Sequence, residues 1–357
     1  MKIIRLTTLL DFGGIESKMA NLSSVSDDNE WIFCSLGRGG TAENQITQNN
    51  KKVVCFNYDY KIPSLITIIK LFFYFKKNKP QVCHSAGSEA NFHGVIAAKL
   101  ARVPMVISEE IGIPSHSKLA RFIFNFVYKL SDFVVGESQN VVDNLKSNYS
   151  INPEKLKVIS NFALFKNYST FNFENKSDVF KIVSVSRLEY VKNIEGIIKV
   201  IDKFNSQKIK IKYTIVGDGA LSNELKELVN QLNLQNCIEF VGFQQETQKY
   251  YLSSDLFVLN SFSEGFSNSL LEAMYYKKMC ITTNVGASLE MIQNDKNGWI
   301  IPVNDEHELY EKIKNCMQLN SETRENIEDN AQKTVIENYS LQNHVEKLIQ
   351  LYNAKND

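Results

Sequence analysis

Residues 261–274 read SFSEGFSNSLLEAM, and this stretch decides how the chain is interpreted. It follows an apolar run at residues 255–259 that is typical of a buried strand, and its last residues have helical spacing. Glu264 precedes the predicted helix and Glu272 lies in its first turn, so two carboxylates flank a glycine-containing turn. Free N–H groups at a helix start bind anions, and carboxylates accept hydrogen bonds from hydroxyl groups. The pattern predicts a site for phosphate held between hydroxyl-bearing groups, as in a nucleotide sugar.

A purely structural explanation of the same residues is also open. Ser269 and Glu272 have the spacing of a capping box, in which the Glu272 side chain would be occupied by its own helix end. Glu264 by itself is equally consistent with a solvated loop carboxylate. The rest of the chain must decide between the two explanations.

Length and composition narrow the class of protein. A chain of 357 residues is too long for one ordinary core, so we expect two domains. The hydrophobic fraction is 43% and the charged fraction 22%, which is typical of a soluble globular protein. Forty basic and forty acidic residues give a net charge of zero, and no basic cluster is interleaved with aromatic residues. We therefore expect no nucleic-acid partner.

Cysteine usage and the apolar runs indicate the compartment. The six cysteines are scattered, without a CxxC pair or histidines at metal-ligand spacing, so we expect reduced thiols in the cytoplasm. The N-terminus lacks the apolar region of a signal peptide. The longest apolar run, residues 65–75, contains Lys70 and is too short to span a bilayer. The expectation is a cytoplasmic protein, soluble or attached to a membrane only at its surface.

Strand-like apolar runs alternate with helix-periodic segments along the chain, which favours parallel sheets built from βα units. Residues 161–178 are polar and aperiodic, and we predict a domain linker there. The helix predicted over residues 115–130 carries Lys118, Arg121 and Lys129 among phenylalanines. That composition is typical of a helix on a membrane surface or, more commonly, of a core helix with a solvated basic edge.

A pair of cations follows the strand predicted at residues 180–185. Arg187 comes at the carboxyl end of this strand, and Lys192 comes at the start of the next helix. In a parallel sheet, ligands bind at that edge. Two cations there could hold a diphosphate, the guanidinium as a fork and the ammonium as a point charge. Solvated surface cations are the ordinary alternative.

These two motifs resemble those of glycosyltransferase family 4. Glu264 and Glu272 match the family's Glu-x7-Glu signature, and SRLEYVKN at residues 186–193 is similar to its second motif, S-R-L-x-x-x-K-N. The resemblance is strongest over residues 180–302 and extends over about residues 1–355.

The N-terminal half carries the weaker part of the resemblance. A Gly13-Gly14-Ile-Glu turn follows the first predicted strand, and His84 precedes a small polar turn. The helix after that turn ends in AAKLARVP at residues 97–104, which is also similar to the family. The family often has a second histidine at the position of Ala86, so one polar contact is missing here or comes from another residue.

The resemblance implies the GT-B fold, an α/β architecture in which two doubly wound Rossmann-like domains face an interdomain cleft. Residues 1–165 would form the acceptor-binding domain and residues 166–340 the domain that binds the nucleotide sugar. A helix within residues 341–357 would cross back to the first domain.

The resemblance also implies a retaining transfer of a hexosyl unit from a nucleoside diphosphate sugar. Arg187 and Lys192 would hold the diphosphate, Glu264 the sugar hydroxyls and Glu272 the ribose. His84 would contact the sugar or the reacting carbons. Further donor-binding positions are Gly14, Gly265, Phe266, Ser267 and Asn268. Positions on the acceptor side are Gly13, Glu109 and Glu110.

No metal and no other cofactor is expected. Two cations and a helix start supply the positive charge that the diphosphate needs, and the sequence has no Asp-x-Asp motif in a metal-binding context. From the resemblance, the expected partners are a uridine diphosphate sugar and a lipid-linked glycan of a bacterial surface polysaccharide. An anionic membrane surface is a further candidate partner.

Two other functions stay open. A nucleotide-sugar epimerase could share the fold, and Glu109 and Glu110 are the pair that would serve its catalysis. A non-catalytic glycan-binding subunit is the other, although it would be expected to lack some of the four charged residues that this chain retains.

Overall fold

The computed structural model describes residues 1–11, 13–114, 116–164 and 178–354. The chain divides into two compact units, one formed by Met1–Leu164 with Ser340–Asp357 and the other by Phe165–Tyr339. Most of the linker predicted at residues 161–178 lies outside the described residues.

The first unit contains a seven-stranded sheet in which every pair of neighbours is parallel, in the order β3-β2-β1-β4-β5-β6-β7. Its strands are β1 Lys2–Thr7, β2 Glu30–Ser35, β3 Lys52–Cys55, β4 Val82–Ala86, β5 Met105–Glu110, β6 Phe133–Gly136 and β7 Leu156–Val158. The helices between them are α1 Gly14–Leu22, α2 Thr41–Gln48, α3 Leu65–Asn78, α4 Ser88–Leu100, α5 Lys118–Leu130 and α6 Gln139–Asn148.

The second unit contains a six-stranded parallel sheet in the order β10-β9-β8-β11-β12-β13. Its strands are β8 Phe180–Val185, β9 Ile211–Val216, β10 Ile238–Gly242, β11 Leu256–Leu259, β12 Met279–Thr283 and β13 Trp299–Ile301. Its helices are α7 Ile194–Ser206, α8 Ser222–Gln231, α9 Gln248–Leu252, α10 Asn268–Tyr275, α11 Ser288–Met291, α12 Glu306–Gln318 and α13 Ser321–Asn338.

The last helix, α14 Leu341–Asn353, packs on the first unit. Its apolar residues Val345, Leu348 and Leu351 join the core on one face of the first sheet. The Ser340 side chain accepts a hydrogen bond from the Asn343 amide and caps the helix start. An amphipathic sequence with a serine cap therefore becomes a helix that covers sheet surface.

Side-chain caps set the starts of α3 and α5. Helix α3 begins at Leu65, where Ser64 accepts from the Thr67 amide. The helix expected from about residue 115 begins at Lys118, where Ser117 accepts from the Ala120 amide. In both cases a serine satisfies a backbone donor that the first turn leaves without a partner.

Both sheets are doubly wound, as expected for each of the two Rossmann-like domains of the GT-B fold that the resemblance implied. In each sheet the strand order reverses at a central pair, β1 with β4 in the first unit and β8 with β11 in the second. Ligands of such sheets bind outside the carboxyl ends of the strands at the point of reversal. Among the described helices, none has both the length and the apolar character needed to cross a bilayer.

Candidate functional site

The two motifs of the second unit that resemble glycosyltransferase family 4 lie at the carboxyl ends of adjacent strands. Arg187 and Lys192 follow β8, Glu264 follows β11, and these strands are neighbours in the sheet. Lys192 Nζ lies 2.5 Å from Glu264 Oε1, and both side chains are mostly buried. Ser261 Oγ donates to the same carboxylate oxygen at 2.7 Å. The site therefore contains a cation and a carboxylate that orient one another.

Backbone contacts hold the loops after β8 and β11 together. The Phe262 amide donates to the Val191 carbonyl at 2.8 Å. Asn260 Nδ2 donates to the Asn193 carbonyl at 3.3 Å, and Asn193 also caps α7 through the Gly196 amide. These contacts fix the position of Lys192 relative to Glu264.

Arg187 has a different environment from Lys192. Its side chain is 75% exposed, and Nη1 donates to Glu189 Oε1 at 2.8 Å. An exposed ion pair of this kind contributes little to stability, so the guanidinium can change partner at little cost. Arg187 is therefore an exposed cation that can change its partner, whereas Lys192 is held by Glu264.

The turn between Glu264 and α10 contains backbone donors that are not used within the protein. Within the part of the chain that the structure describes, the amides of Gly265, Phe266 and Ser267 have no protein acceptor. Ser267 caps α10, and its Oγ accepts from the Leu270 amide at 3.2 Å. Unpaired amides directly before a helix start favour a bound anion.

The capping box considered for Ser269 and Glu272 does not form, because Ser267 is the cap. Glu272 lies one turn inside α10, where Oε2 accepts from Thr247 Oγ1 at 3.2 Å. Burial raises the pKa of Glu272, and the hydroxyl groups of Tyr251 and Thr247 beside it partly oppose that rise. Since helix capping does not explain this carboxylate, a binding role stays a prediction.

Two glycines that support the site were not assigned a role from the sequence. A Cβ on Gly286, which has a φ of +53°, would lie 2.6 Å from the Glu264 carbonyl oxygen. A Cβ on Gly217, at φ +136°, would lie 1.9 Å from the Ser186 carbonyl oxygen. Each glycine lets a neighbouring turn pack against the loop that carries Glu264 or Arg187. Both glycines follow strands in the sequence, but the order of the strands in the sheet decides which loop each glycine packs against.

His84, for which a contact with the sugar is predicted, is buried in the first unit. The side chain is fully buried in β4, and Nδ1 contacts both Arg5 Nη1 and, at 2.8 Å, the Tyr352 hydroxyl. Its Nε2 lies 3.1 Å from Glu109 Oε2. Burial and the Arg5 cation lower the pKa of His84 to about 4, so the ring is neutral at pH 7. His84 therefore connects β1, β5 and α14.

Glu109, for which a role on the acceptor side is predicted, is buried as well. Arg5 Nη2 lies 2.7 Å and Lys18 Nζ 2.5 Å from its carboxylate, and all three side chains are buried. Burial alone would raise the pKa of Glu109, but Lys18 and Arg5 hold it well below its usual range. A buried charge that is already paired with two cations is a structural element.

Glu110 also points into the first unit, and its exposed fraction is 5%. Its Oε1 accepts from Asn91 Nδ2 and from the Tyr128 hydroxyl, each at 2.8 Å. With Glu109 engaged in ion pairs and Glu110 buried, this pair is not available for the catalysis that an epimerase would need.

The remaining predicted positions of the first unit lie at its strand reversal. Gly13 precedes α1 and Gly14 is its first residue, directly after the β1 loop. Gly14 is exposed, and a Cβ there would meet no atom within 4 Å. In the described residues, no group of three or more His, Cys, Asp or Glu side chains is arranged to hold a metal ion.

Comparison with protein families gives two matches that together span most of the chain. Residues 13–163 match the family described as Glycosyltransferase Family 4, and residues 167–334 match Glycosyl transferases group 1.

Two curated relatives are similar over most of their length. A Campylobacter jejuni N-acetylgalactosamine-N,N'-diacetylbacillosaminyl-diphospho-undecaprenol 4-alpha-N-acetylgalactosaminyltransferase is 25% identical, over 71% of this chain and 73% of the relative. An Escherichia coli UDP-Gal:alpha-D-GlcNAc-diphosphoundecaprenol alpha-1,3-galactosyltransferase is 26% identical, over 81% of this chain and 78% of the relative.

Solved structures share the fold over nearly the whole chain. HepE from Anabaena, in complex with UDP, superposes with a TM-score of 0.86 at 19% identity, covering 99% of this chain and 100% of HepE. A glycosyltransferase from Rickettsia africae superposes with a TM-score of 0.86 at 23% identity, covering 99% of this chain and 98% of the Rickettsia protein.

Because the Glu110 carboxyl is buried, we expect the wild type and a Glu110→Gln variant to differ in unfolding free energy by an amount that depends on pH. Burial raises its pKa to about 7, whereas the unfolded chain loses this proton near pH 4.3. Stability contributed by Glu110 is therefore present at low pH and is lost as the pH rises between these values. Glu110→Gln, which keeps an acceptor for Asn91 and Tyr128, should exceed the wild type in unfolding free energy by up to about 3 kcal/mol above pH 7.

Urea unfolding at pH 5 and pH 8 checks this expectation, with the exposed Glu154→Gln as the control. The unfolding free energy of Glu110→Gln should exceed that of the wild type by more at pH 8 than at pH 5. The Glu154→Gln control should have the wild-type unfolding free energy at both pH values. A difference that does not change with pH would mean that Glu110 is ionised in the folded protein.

Proposed function

Because the chain belongs to glycosyltransferase family 4, we propose that it is a retaining hexosyltransferase whose donor is a uridine diphosphate sugar. The observation that carries the proposal is the convergence of Lys192, Arg187 and the unpaired amides of residues 265–267 at one edge of the second sheet. These groups supply positive charge and donors where a diphosphate would need them.

The diphosphate would be held by groups of two kinds. Lys192 is fixed by its contact with Glu264, so it provides a cation in a defined place. Arg187 is exposed and can leave Glu189 to form paired hydrogen bonds with phosphate oxygens. The amides of Gly265, Phe266 and Ser267 would complete the site at the start of α10, together with Asn268, the first residue of that helix.

Two carboxylates would hold the hydroxyl-bearing parts of the donor. Glu264 has one oxygen engaged by Lys192 and Ser261, so its second oxygen can accept from a sugar hydroxyl. Glu272 lies one turn into α10 and is proposed to accept from the ribose. A carboxylate accepts hydrogen bonds and repels phosphate, so the two acids would set the orientation of the donor.

The reaction breaks the bond between the anomeric carbon and the diphosphate oxygen, and forms a bond from that carbon to the acceptor oxygen. The diphosphate leaves with increased negative charge and takes the proton of the acceptor hydroxyl. Lys192 and Arg187 stabilise this charge, and that stabilisation grows in the transition state. Approach of the acceptor on the face that the diphosphate leaves gives retention without a carboxylate nucleophile.

The acceptor is proposed to be a lipid-linked glycan in the synthesis of a bacterial surface polysaccharide, used by a cytoplasmic enzyme. The C. jejuni and E. coli relatives are named for undecaprenol-linked acceptors, which supports this class. Gly13 and Gly14 remain proposed contacts for acceptor and donor, since they lie at the strand reversal of the first unit. Screening UDP, GDP and ADP for thermal stabilisation of the protein tests which base it binds.

Arg187→Ala and Lys192→Ala should each lower turnover by on the order of a hundredfold or more, because each removes charge that stabilises the leaving diphosphate. The matched control is Lys203→Ala, which removes an exposed lysine from α7. Initial rates with saturating donor provide the measurement. Wild-type turnover in both site variants would exclude these cations from the mechanism.

Glu272→Gln should weaken binding of UDP by about tenfold or more, because a carboxylate that accepts from a hydroxyl is replaced by a neutral amide. Titration calorimetry with UDP measures the effect, and the exposed Glu227→Gln on α8 is the control. Thermal unfolding verifies that the variant is folded. If both variants bind UDP as tightly as the wild type does, Glu272 has no part in the donor site.

Transfer should persist in excess EDTA, because Lys192, Arg187 and the helix start provide the positive charge that a divalent ion would otherwise bring. Rates are compared before and after dialysis against EDTA. A loss of activity that added magnesium or manganese restores would show that the site requires a metal ion.

A further inference from the structure

One face of the first sheet is covered by a layer in which α4 lies between α3 and α5. Residues of all three helices belong to one core cluster with β1, β2, β4, β5 and β6. Helix α4 is buried on most of its surface and packs against both neighbours. As a result, α3 and α5 flank α4 on the same side of the unit, and each has an outer face.

Helix α3 is apolar on both of its sides. Its inner side consists of Ile68, Leu71 and Phe75, which are buried in the core. Leu65, Ile66, Ile69 and Phe73 are exposed, and at 100° per residue they fall on the opposite side of the helix. Phe73 is 64% exposed. A surface helix of a globular protein normally presents polar residues there.

Helix α5 repeats the arrangement. Phe124, Val127 and Tyr128 are buried, whereas Leu119, Phe122 and Phe126 form an exposed stripe with i, i+3, i+7 spacing. Phe122 is 75% exposed. The sequence left open whether this helix is a core helix or a membrane-surface helix. In the structure one face is buried, as in a core helix, and the other is apolar and exposed, as in a helix on a membrane surface.

The charges around the two stripes are all positive. Residues 60–88 contain five lysines and no carboxylate, and residues 111–131 contain Lys118, Arg121 and Lys129 and no carboxylate. Lys70, Lys76 and Lys77 on α3 are exposed, as are the three cations of α5. Among the described ion pairs, none involves any of these six cations. Such a surface is complementary to an anionic one.

We propose that the outer faces of α3 and α5 form a docking surface for an anionic lipid bilayer. The surface consists of Leu65, Ile66, Ile69, Phe73, Leu119, Phe122 and Phe126 with the six cations of the same helices. The apolar side chains enter the boundary between headgroups and acyl chains, and the lysines and arginine contact the lipid phosphates. This binding needs no donor or acceptor and does not depend on the proposed reaction.

Sedimentation of the full chain with vesicles tests the proposal. Vesicles of equal parts phosphatidylglycerol and phosphatidylcholine should bind the wild type at low salt, and vesicles of phosphatidylcholine alone should bind it more weakly. Phe73→Ser with Phe122→Ser should reduce binding to the mixed vesicles by about tenfold or more, since two large apolar side chains no longer leave water. Lys76→Glu with Arg121→Glu should reduce binding to the mixed vesicles and leave the weak binding to neutral ones unchanged.

Matched controls lie on the second unit. Ile336→Ser removes an exposed apolar side chain from α13, and Lys226→Glu reverses an exposed charge on α8. Both should bind like the wild type, and circular dichroism should find every variant folded. Absence of binding to the mixed vesicles, or equal binding by the Phe73/Phe122 variant, would overturn the proposal. A different result would also overturn it: the wild type is a dimer in ultracentrifugation, the Phe73/Phe122 variant is a monomer, and neither binds vesicles. The surface would then join two copies of the chain.

Discussion

The structure depends on the parallel pairing of strands in both sheets. Parallel neighbours must be joined by crossovers, so every strand ends at the same edge of its sheet and every following loop begins there. The reversal of strand order then makes β8 and β11 neighbours, although about seventy residues separate them. Lys192 and Glu264 meet because of this constraint, and their ion pair in turn fixes the loops that present Arg187 and the unpaired amides.

Burial decides which charged groups serve the fold and which are left for a ligand. Arg5, Lys18 and Glu109 are buried and satisfy one another, and they fix His84 in the core of the first unit. Removing water from a charge costs so much free energy that such groups must be paired inside the protein. The Arg187 side chain stays exposed and keeps its hydration, so it remains available to a phosphate.

The proposed donor site and the proposed docking surface of α3 and α5 follow from the same principle. In each place the described residues include groups without their ordinary partners: amide donors at residues 265–267, and exposed apolar stripes on the two helices. Water satisfies the amides at modest cost but cannot satisfy the apolar stripes. The ligands that we propose for the two features therefore differ, an anion for the amides and a lipid surface for the apolar stripes.

The sequence by itself determined the fold class, the βα alternation, the last helix and the motifs at 186–193 and 264–272, because periodicity and turn residues are local properties. It could not determine that Ser267 rather than Ser269 caps α10, since the two serines compete for the same helix start. Nor could it determine the partners of His84 and Glu109, which lie near the carboxyl ends of β4 and β5, where ligand-binding residues are often found. Only the tertiary structure brought Arg5, Lys18 and Tyr352 against them, because those partners lie far apart in the chain and meet only when β1, α1 and α14 pack together.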